Sequence, residues 1–347
     1  MRIVLIKLGA LGDVVRTTSL LPGLKRLDPS MELTWITDPG AVPLVKHHPD
    51  VSVVRTPGEP GDWREIAYDW VISLDDSSLA CELASELRSS RLSGAYRSVE
   101  GALSYSPDVE EWFGMGLLRP AEEGGIEAAN RLKQLNTRTF GEMAFEGLEL
   151  PGPVERPTVI VPAAARAEAA RLVAGLVGGQ RGPVIGLNTG AGSRWKYKSW
   201  GEDQTAALAQ RLHDELRATV LVTGGAEETA RNARIVAAAR RPRVLAAPVV
   251  PDLLVFTALL GGCSLVVTSD SLAMHLALSQ AVRTIVFFGP TSDAEIDVFG
   301  LGEKVVTPLA CRRCYLRDCE VRPHCMQSIG VERLFEASKR WLQRAPR

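Results

Sequence analysis

The chain has 347 residues, 46% hydrophobic and 23% charged, which suits two packed domains and excludes wholesale disorder. Its 40 Lys and Arg are matched by 41 Asp and Glu, and the net charge of -1 lacks the basic excess of a nucleic-acid binder. Local basic residues such as Arg312, Arg313, Arg317 and Arg322 read as a solvated surface.

Short apolar runs alternate with amphipathic segments in both halves, the pattern of parallel α/β architecture. In the first half, Ile3–Ile6, Leu33–Ile36, Val51–Val54 and Val71–Leu74 read as strands. A helix between the first two would carry Val14, Thr18, Leu21 and Leu24 on one face. Arg2 and the apolar stretch after it imitate a signal peptide, but Lys7, Asp13 and Arg16 interrupt the stretch too early. A weaker region runs from Ser98 to Leu150, with Ala128–Leu148 reading as helical. Pro151, Pro153, Pro157 and Pro162 mark a linker, so the expected lobes are residues 1–155 and 156–347.

The second half restarts the rhythm with strands at Val184–Leu187, Val220–Thr223, Leu265–Val267 and Thr284–Phe288. Helices are expected after Trp200, Glu227, Asp252 and Ser271. The longest uncharged run, Leu253–Ser269, falls short of the roughly 20 residues of a membrane span, and Gly261-Gly262 splits it. Val331–Leu342 places Val331, Leu334, Phe335, Ser338, Trp341 and Leu342 at helical spacing, for burial along one stripe. Two such lobes predict an active site in a cleft, served by loops at the carboxyl ends of strands.

Four of those loops carry chemistry. The first, Lys7-Leu8-Gly9-Ala10-Leu11-Gly12-Asp13, lacks the Gly-x-Gly-x-x-Gly spacing of a dinucleotide site, though Gly9 and Gly12 permit close backbone approach. Asp13 reads either as a helix N-cap or as a general base. In the second, Asn188 to Trp200, Thr189, Gly190 and Gly192 would expose amides to phosphate oxygens, with Arg194 and Lys198 neutralising charge. An ordinary turn with solvated cations is the alternative.

The third loop, Thr223-Gly224-Gly225-Ala226-Glu227-Glu228, offers Glu227 and Glu228 to ribose hydroxyls, or simply to a helix dipole. In the fourth, Thr268 to His275, Ser269 or Asp270 would cap a helix whose first amides suit a phosphate. Ser271 adds a hydroxyl there, and Gly289-Pro290-Thr291-Ser292 follows one strand later. Asp270 would repel a diphosphate, so it is assigned to orienting Lys198 or to a sugar hydroxyl. His275, about one turn into that helix, reads equally as core or as ligand contact.

Cys311, Cys314, Cys319 and Cys325 lie within fifteen residues. In a reducing compartment this spacing favours a metal over disulfides, with a structural zinc first and an iron–sulfur cluster as the alternative to it. Cys81 and Cys263 read as small buried hydrophobes.

The segment Ile3 to Asp13, Gly190 to Trp200 with Lys198, Gly224-Gly225-x-Glu-Glu, Asp270-Ser271-x-x-x-His275-x-Ala277 and Gly289-Pro290-Thr291 together resemble glycosyltransferase family 9, the ADP-heptose:lipopolysaccharide heptosyltransferases. Order and spacing agree over roughly residues 1–340. The resemblance implies a GT-B fold, two Rossmann-like lobes facing each other across a cleft, and inverting transfer with no metal required for catalysis. It further implies an ADP-sugar donor and a glycolipid acceptor at the inner membrane surface of the cytoplasm. It assigns Asp13 to the base, Lys198 and Ser271 to the phosphates, and Glu227 or Glu228 to the ribose. Leu272 departs from the pattern, because many family members carry glycine there, and this bears on the sugar more than on the nucleotide. A nucleotide-sugar epimerase of the same fold and a non-catalytic nucleotide- or metal-binding module are the rival readings.

Overall fold

The computed structural model describes residues 1–347 apart from 180, 193–196, 317 and 345–347. The chain divides into two units, Met1–Ile160 with Ala294–Asp297, and Val161–Asp293 with Val298–Arg347. The first unit holds β1 (Arg2–Ile6), α1 (Leu11–Thr17), α2 (Leu21–Leu27), β2 (Glu32–Ile36), α3 (Val42–Val45), β3 (Val53–Arg55) and β4 (Tyr68–Ser73). It continues with α4 (Ser78–Glu86), β5 (Ser89–Arg97), β6 (Leu103–Tyr105), α5 (Glu110–Phe113), α6 (Gly125–Leu135) and α7 (Phe140–Gly147).

Among the described residues these strands form a six-stranded sheet in the order β3-β2-β1-β4-β5-β6, parallel except for the β5–β6 edge. Ile3 to Ile6 of β1 are fully buried, as a strand covered on both faces requires, and Ile3 and Val4 lie opposite Trp70 and Val71 of β4. Gly94 pairs with Ser73 at φ +115°, and a Cβ there would stand 1.9 Å from the Ser73 carbonyl oxygen.

The helix expected after β1 is broken. Val14, Thr18, Leu21 and Leu24 are all buried as their spacing demanded, but a 3-10 turn at Thr18–Leu20 separates α1 from α2. Thr17 and Thr18 donate their hydroxyls back to the Asp13 and Val15 carbonyls, which competes with regular helix geometry. The helical region expected over 128–148 is likewise two helices, α6 and α7. Thr139 and Glu142 form a capping box that starts α7 afresh.

The second unit holds α8 (Ala163–Val177), β7 (Val184–Asn188), α9 (Glu202–Leu216), β8 (Thr219–Thr223), α10 (Thr229–Ala239), β9 (Val244–Ala246) and α11 (Leu253–Gly261). After these come β10 (Leu265–Ser269), α12 (Leu272–Ser279), β11 (Thr284–Phe288), β12 (Gly302–Val306) and α13 (Val331–Gln343). Its described strands pair in parallel in the order β12-β11-β10-β7-β8-β9, the strand order of the first unit's sheet in Rossmann sense. The amphipathic α13 buries Leu334, Phe335, Ser338 and Trp341 as expected, and joins the core built on Leu187, Val222, Val267 and Phe287. Gly262 and Cys263 separate α11 from β10, and no helix among the described residues is long and apolar enough to cross a membrane.

In each sheet the chain reverses its direction of winding between two central strands, β1 and β4 in the first unit, β7 and β10 in the second. Ligands of open α/β sheets bind beyond the carboxyl ends of such strand pairs.

Candidate functional site: two strand-end Lys–Asp pairs

In the first unit, Lys7 follows β1 and Asp75 follows β4, and their charged groups lie 3.2 Å apart. The Asp75 carboxylate also accepts from the Leu8 and Gly9 amides at 3.1 and 3.3 Å. Burial alone would raise the Asp75 carboxyl, but the Lys7 ammonium and the Ser77 and Gly9 contacts hold it below the usual carboxylate range. This anchor fixes the Lys7-to-Gly9 backbone immediately ahead of α1. Asp75 was not singled out in the sequence, because nothing local links it to residue 7.

Asp13 does not cap α1. The N-cap is Ala10, with no side-chain cap, and Asp13 sits in the helix's first turn. Its carboxylate pairs at 2.8 Å with Arg16, one turn on, and Asp13 keeps 38% side-chain exposure. The Arg16 guanidinium lies over the Phe140 ring at 4.4 Å and the Trp112 ring at 5.0 Å. Those rings meet edge to face at 4.9 Å. The two rings together hold the cation that orients Asp13. The Asp13/Arg16 spacing was readable as a helical ion pair, but the aromatics come from far along the chain. Gly12 lies within α1, and Gly9 in the anchored loop before it.

In the second unit, Lys198 approaches Asp270 after β10, with its ammonium 2.8 Å from the carboxylate and 3.1 Å from the Asp270 carbonyl. Burial would raise the Asp270 carboxyl, but Lys198 first, then His275 and Thr291, hold it below the usual range. This is the orienting role expected of Asp270. His275 is buried on α12 and acts on Asp270 electrostatically.

Ser271, not Ser269 or Asp270, is the N-cap of α12. Its hydroxyl does not cap the helix but lies 2.9 Å from that of Thr268 and 3.3 Å from the Asn188 amide nitrogen. Ser269 is buried at the end of β10. Leu272 takes the first helical position, where no left-handed backbone demands glycine.

Thr189 is held by the Thr223 carbonyl through its amide at 3.0 Å, and its hydroxyl donates to Asn232 at 2.5 Å. Gly192 adopts φ +71° with open space around its Cβ direction, and Gly190 lies against Glu228 and Gly224. Arg194 lies outside the described residues.

The two acidic residues after β8 part company. Glu228 accepts the Gly225 amide at 2.8 Å and so closes its own turn, whereas Glu227 is exposed. Only Glu227 presents a carboxylate that the fold does not already employ in that turn.

The cysteine segment lies against these loops. Arg313 clamps Asp293 through two contacts of 2.7 and 2.9 Å, and the Tyr315 hydroxyl accepts the Ser292 amide at 3.0 Å. Tyr197 packs edge-on to His324 with ring centres 5.2 Å apart. Burial pushes the Cys325 thiol up to about 11, with the Cys314, Cys319 and Cys311 thiols adding to the rise. Yet among the described residues no group of three His, Cys, Asp or Glu side chains is gathered closely enough to hold a metal ion. The donor set suits zinc in kind; the closed tetrahedron expected from the spacing is not seen. Cys81 and Cys263 are buried thiols pushed up to about 11 and about 12 by desolvation, in keeping with a packing role.

Residues 132–322 match the model of glycosyltransferase family 9 (heptosyltransferase), more than half of the chain. The protein belongs to that family and is a glycosyltransferase. Lipopolysaccharide heptosyltransferase 1 of Pseudomonas aeruginosa is 23% identical to this family member, over 93% of this chain and 88% of its own length. Two solved structures share the fold. One is a family 9 glycosyl transferase from Veillonella parvula, with TM-score 0.71 and 17% identity, over 98% of this chain and 97% of that one. The other is the E. coli ADP-heptose lps heptosyltransferase II, with TM-score 0.67 and 20% identity, over 99% and 98%. The two Rossmann-like units of this family member are thus of GT-B type. Membership in a transferase family also decides against the epimerase and the non-catalytic module.

Proposed function

We propose that this family member transfers a heptose-like sugar from an ADP-sugar to a hydroxyl of a lipopolysaccharide core-type glycolipid, with inversion at the transferred carbon. The observation that carries this reading is the cluster at the ends of β7 and β10, where the Lys198–Asp270 pair and the Asn188–Ser271 contact lie at the start of α12. An ammonium has three N–H donors. Among the described residues two of those on Lys198 go to Asp270, and the third, with the Ser271 hydroxyl and the first amides of α12, is assigned to a diphosphate. As the bond to the departing ADP breaks, charge grows on its terminal phosphate, and these preorganised donors stabilise it. No metal takes part in that step.

Asp13 is assigned the base role in the first unit. It accepts the acceptor hydroxyl's proton as the oxygen attacks the sugar carbon, and Arg16 orients it. Glu227 is assigned to the ribose hydroxyls, and the Gly9–Gly12 loop to the acceptor side. The E. coli structural neighbour is an ADP-heptose enzyme, which supports adenine in the donor. The protein is assigned to the cytoplasm, at the inner membrane surface where such an acceptor lies.

Thermal shift with ADP, UDP and GDP at equal concentration tests the donor, since a ligand stabilises the state that binds it. ADP should give the largest rise in Tm, and an equal or larger rise with UDP would sink the adenine reading. Product analysis by NMR should then show the opposite anomeric configuration to the donor's, formed only when acceptor is present.

A further inference from the structure

We infer that Arg231 is a positioning residue for the donor. It ties together the two ends of the 189–200 loop so that Lys198 is held for the diphosphate, an inference that rests on the donor reading above. Arg231 stands in the first turn of α10. One guanidinium nitrogen donates to the Thr189 carbonyl at 3.4 Å and another to the Trp200 carbonyl. Those carbonyls bracket the loop that carries Lys198. The next residue, Asn232, accepts the Thr189 hydroxyl, so two successive side chains of α10 grip the same end of the loop.

Trp200 is anchored independently by its indole N–H to the Ile329 carbonyl at 3.0 Å, and among the described residues Arg231 is the side chain that touches both ends of the loop. Among the described residues no carboxylate pairs with Arg231, and its Nε is buried without a partner. Burial lowers its pKa, with Glu202 and Glu228 opposing the shift at longer range. A guanidinium that takes a desolvation cost without an ion pair is poorly explained as surface charge or simple packing. Two backbone acceptors spaced for a planar fork account for its place, and lysine has no such fork.

The test is a double-mutant cycle read by calorimetric ADP affinity. Arg231→Lys keeps the charge but cannot bridge both carbonyls. It should stay folded and bind ADP roughly 10- to 100-fold more weakly, the loss expected for one or two charge-assisted hydrogen bonds. The KM for acceptor should stay unchanged. On a Lys198→Ala background the same substitution should cost little more, because it acts through Lys198. Wild-type affinity in Arg231→Lys, or a full additional loss on the Lys198→Ala background, overturns the inference while the donor reading stands. Absence of ADP binding by the wild-type protein defeats both readings together. Should Arg231→Lys fail to fold, hydrogen exchange on the wild-type protein decides. ADP should slow exchange across 189–200 and around residue 231 together, and protection confined to 189–200 overturns the inference.

Discussion

The Lys198 ammonium sits 2.8 Å from the Asp270 carboxylate, and Lys7 and Asp75 repeat that pairing at 3.2 Å in the first unit. In both units the aspartate lies just beyond the second central strand, while the lysine follows the first directly in the case of Lys7 and ten residues on in the case of Lys198. The first pair holds the loop ahead of Asp13, and the second sits where the donor's diphosphate is proposed to bind.

Lys198→Ala should weaken ADP binding by about 1.5–3 kcal/mol, the worth of a hydrogen bond to a charged group. Isothermal calorimetry measures it directly. An unchanged Kd removes Lys198 from the donor site.

Asp270 ties the same pair to pH. Its folded-state pKa lies below the ordinary aspartate value of about 3.9, so it contributes stability that is present above that value and lost as pH falls through the folded one. Urea midpoints of the wild-type protein should therefore exceed those of Asp270→Asn at neutral pH. The gap should close on acidification below about pH 4. A gap independent of pH would mean that the carboxylate's charge adds nothing to stability.

Asp13→Asn should lower turnover by roughly 10²–10⁴-fold, the contribution of a positioned base. ADP affinity should hold. Since Ala10 and not Asp13 is the N-cap, the substitution removes no capping bond, and the helical Arg16 pair that it weakens is of a kind worth about 0.3–0.5 kcal/mol. Near-full activity at saturating donor and acceptor would reduce Asp13 to the ion partner of Arg16.

Glu227→Gln and Glu228→Gln separate binding from structure. The exposed Glu227 should affect ADP affinity with little change in Tm. Glu228, which closes its own turn, should lower Tm. Identical ADP binding by Glu227→Gln and wild-type protein would withdraw the ribose assignment.

For the cysteine segment, protein purified without oxygen should carry about one zinc per chain by elemental analysis, the content of one four-thiolate site. Cys314→Ser should lower metal content and Tm together. Brown protein with iron and sulfide would replace zinc by a cluster, and metal-free, fully folded protein rules out both.

The sequence by itself determined the alternation of strands and helices, because a strand buried on both faces needs an apolar run, as Ile3–Ile6 of β1, Val220–Val222 of β8 and Leu265–Val267 of β10 supply. It also placed Asp13, Lys198, Asp270 and Ser271 in the segments that lead from a strand into the next helix, since glycine and short polar residues punctuate the chain there. The strands β6, β9 and β12 were not legible: β6 and β9 are three residues long, β12 opens on Gly-Glu-Lys, and each is stabilised by a neighbour rather than by its own pattern. Neither was the helix break at Thr18, which hydroxyl back-bonding sets. What only the tertiary structure decided is pairing over distance. Asp75 reaches residue 7, Trp112 and Phe140 enclose Arg16, and Arg231 joins Thr189 to Trp200. Each contact spans tens of residues in the chain, so no local period carries it. It appears only when the sheets bring those strand ends and helix starts side by side.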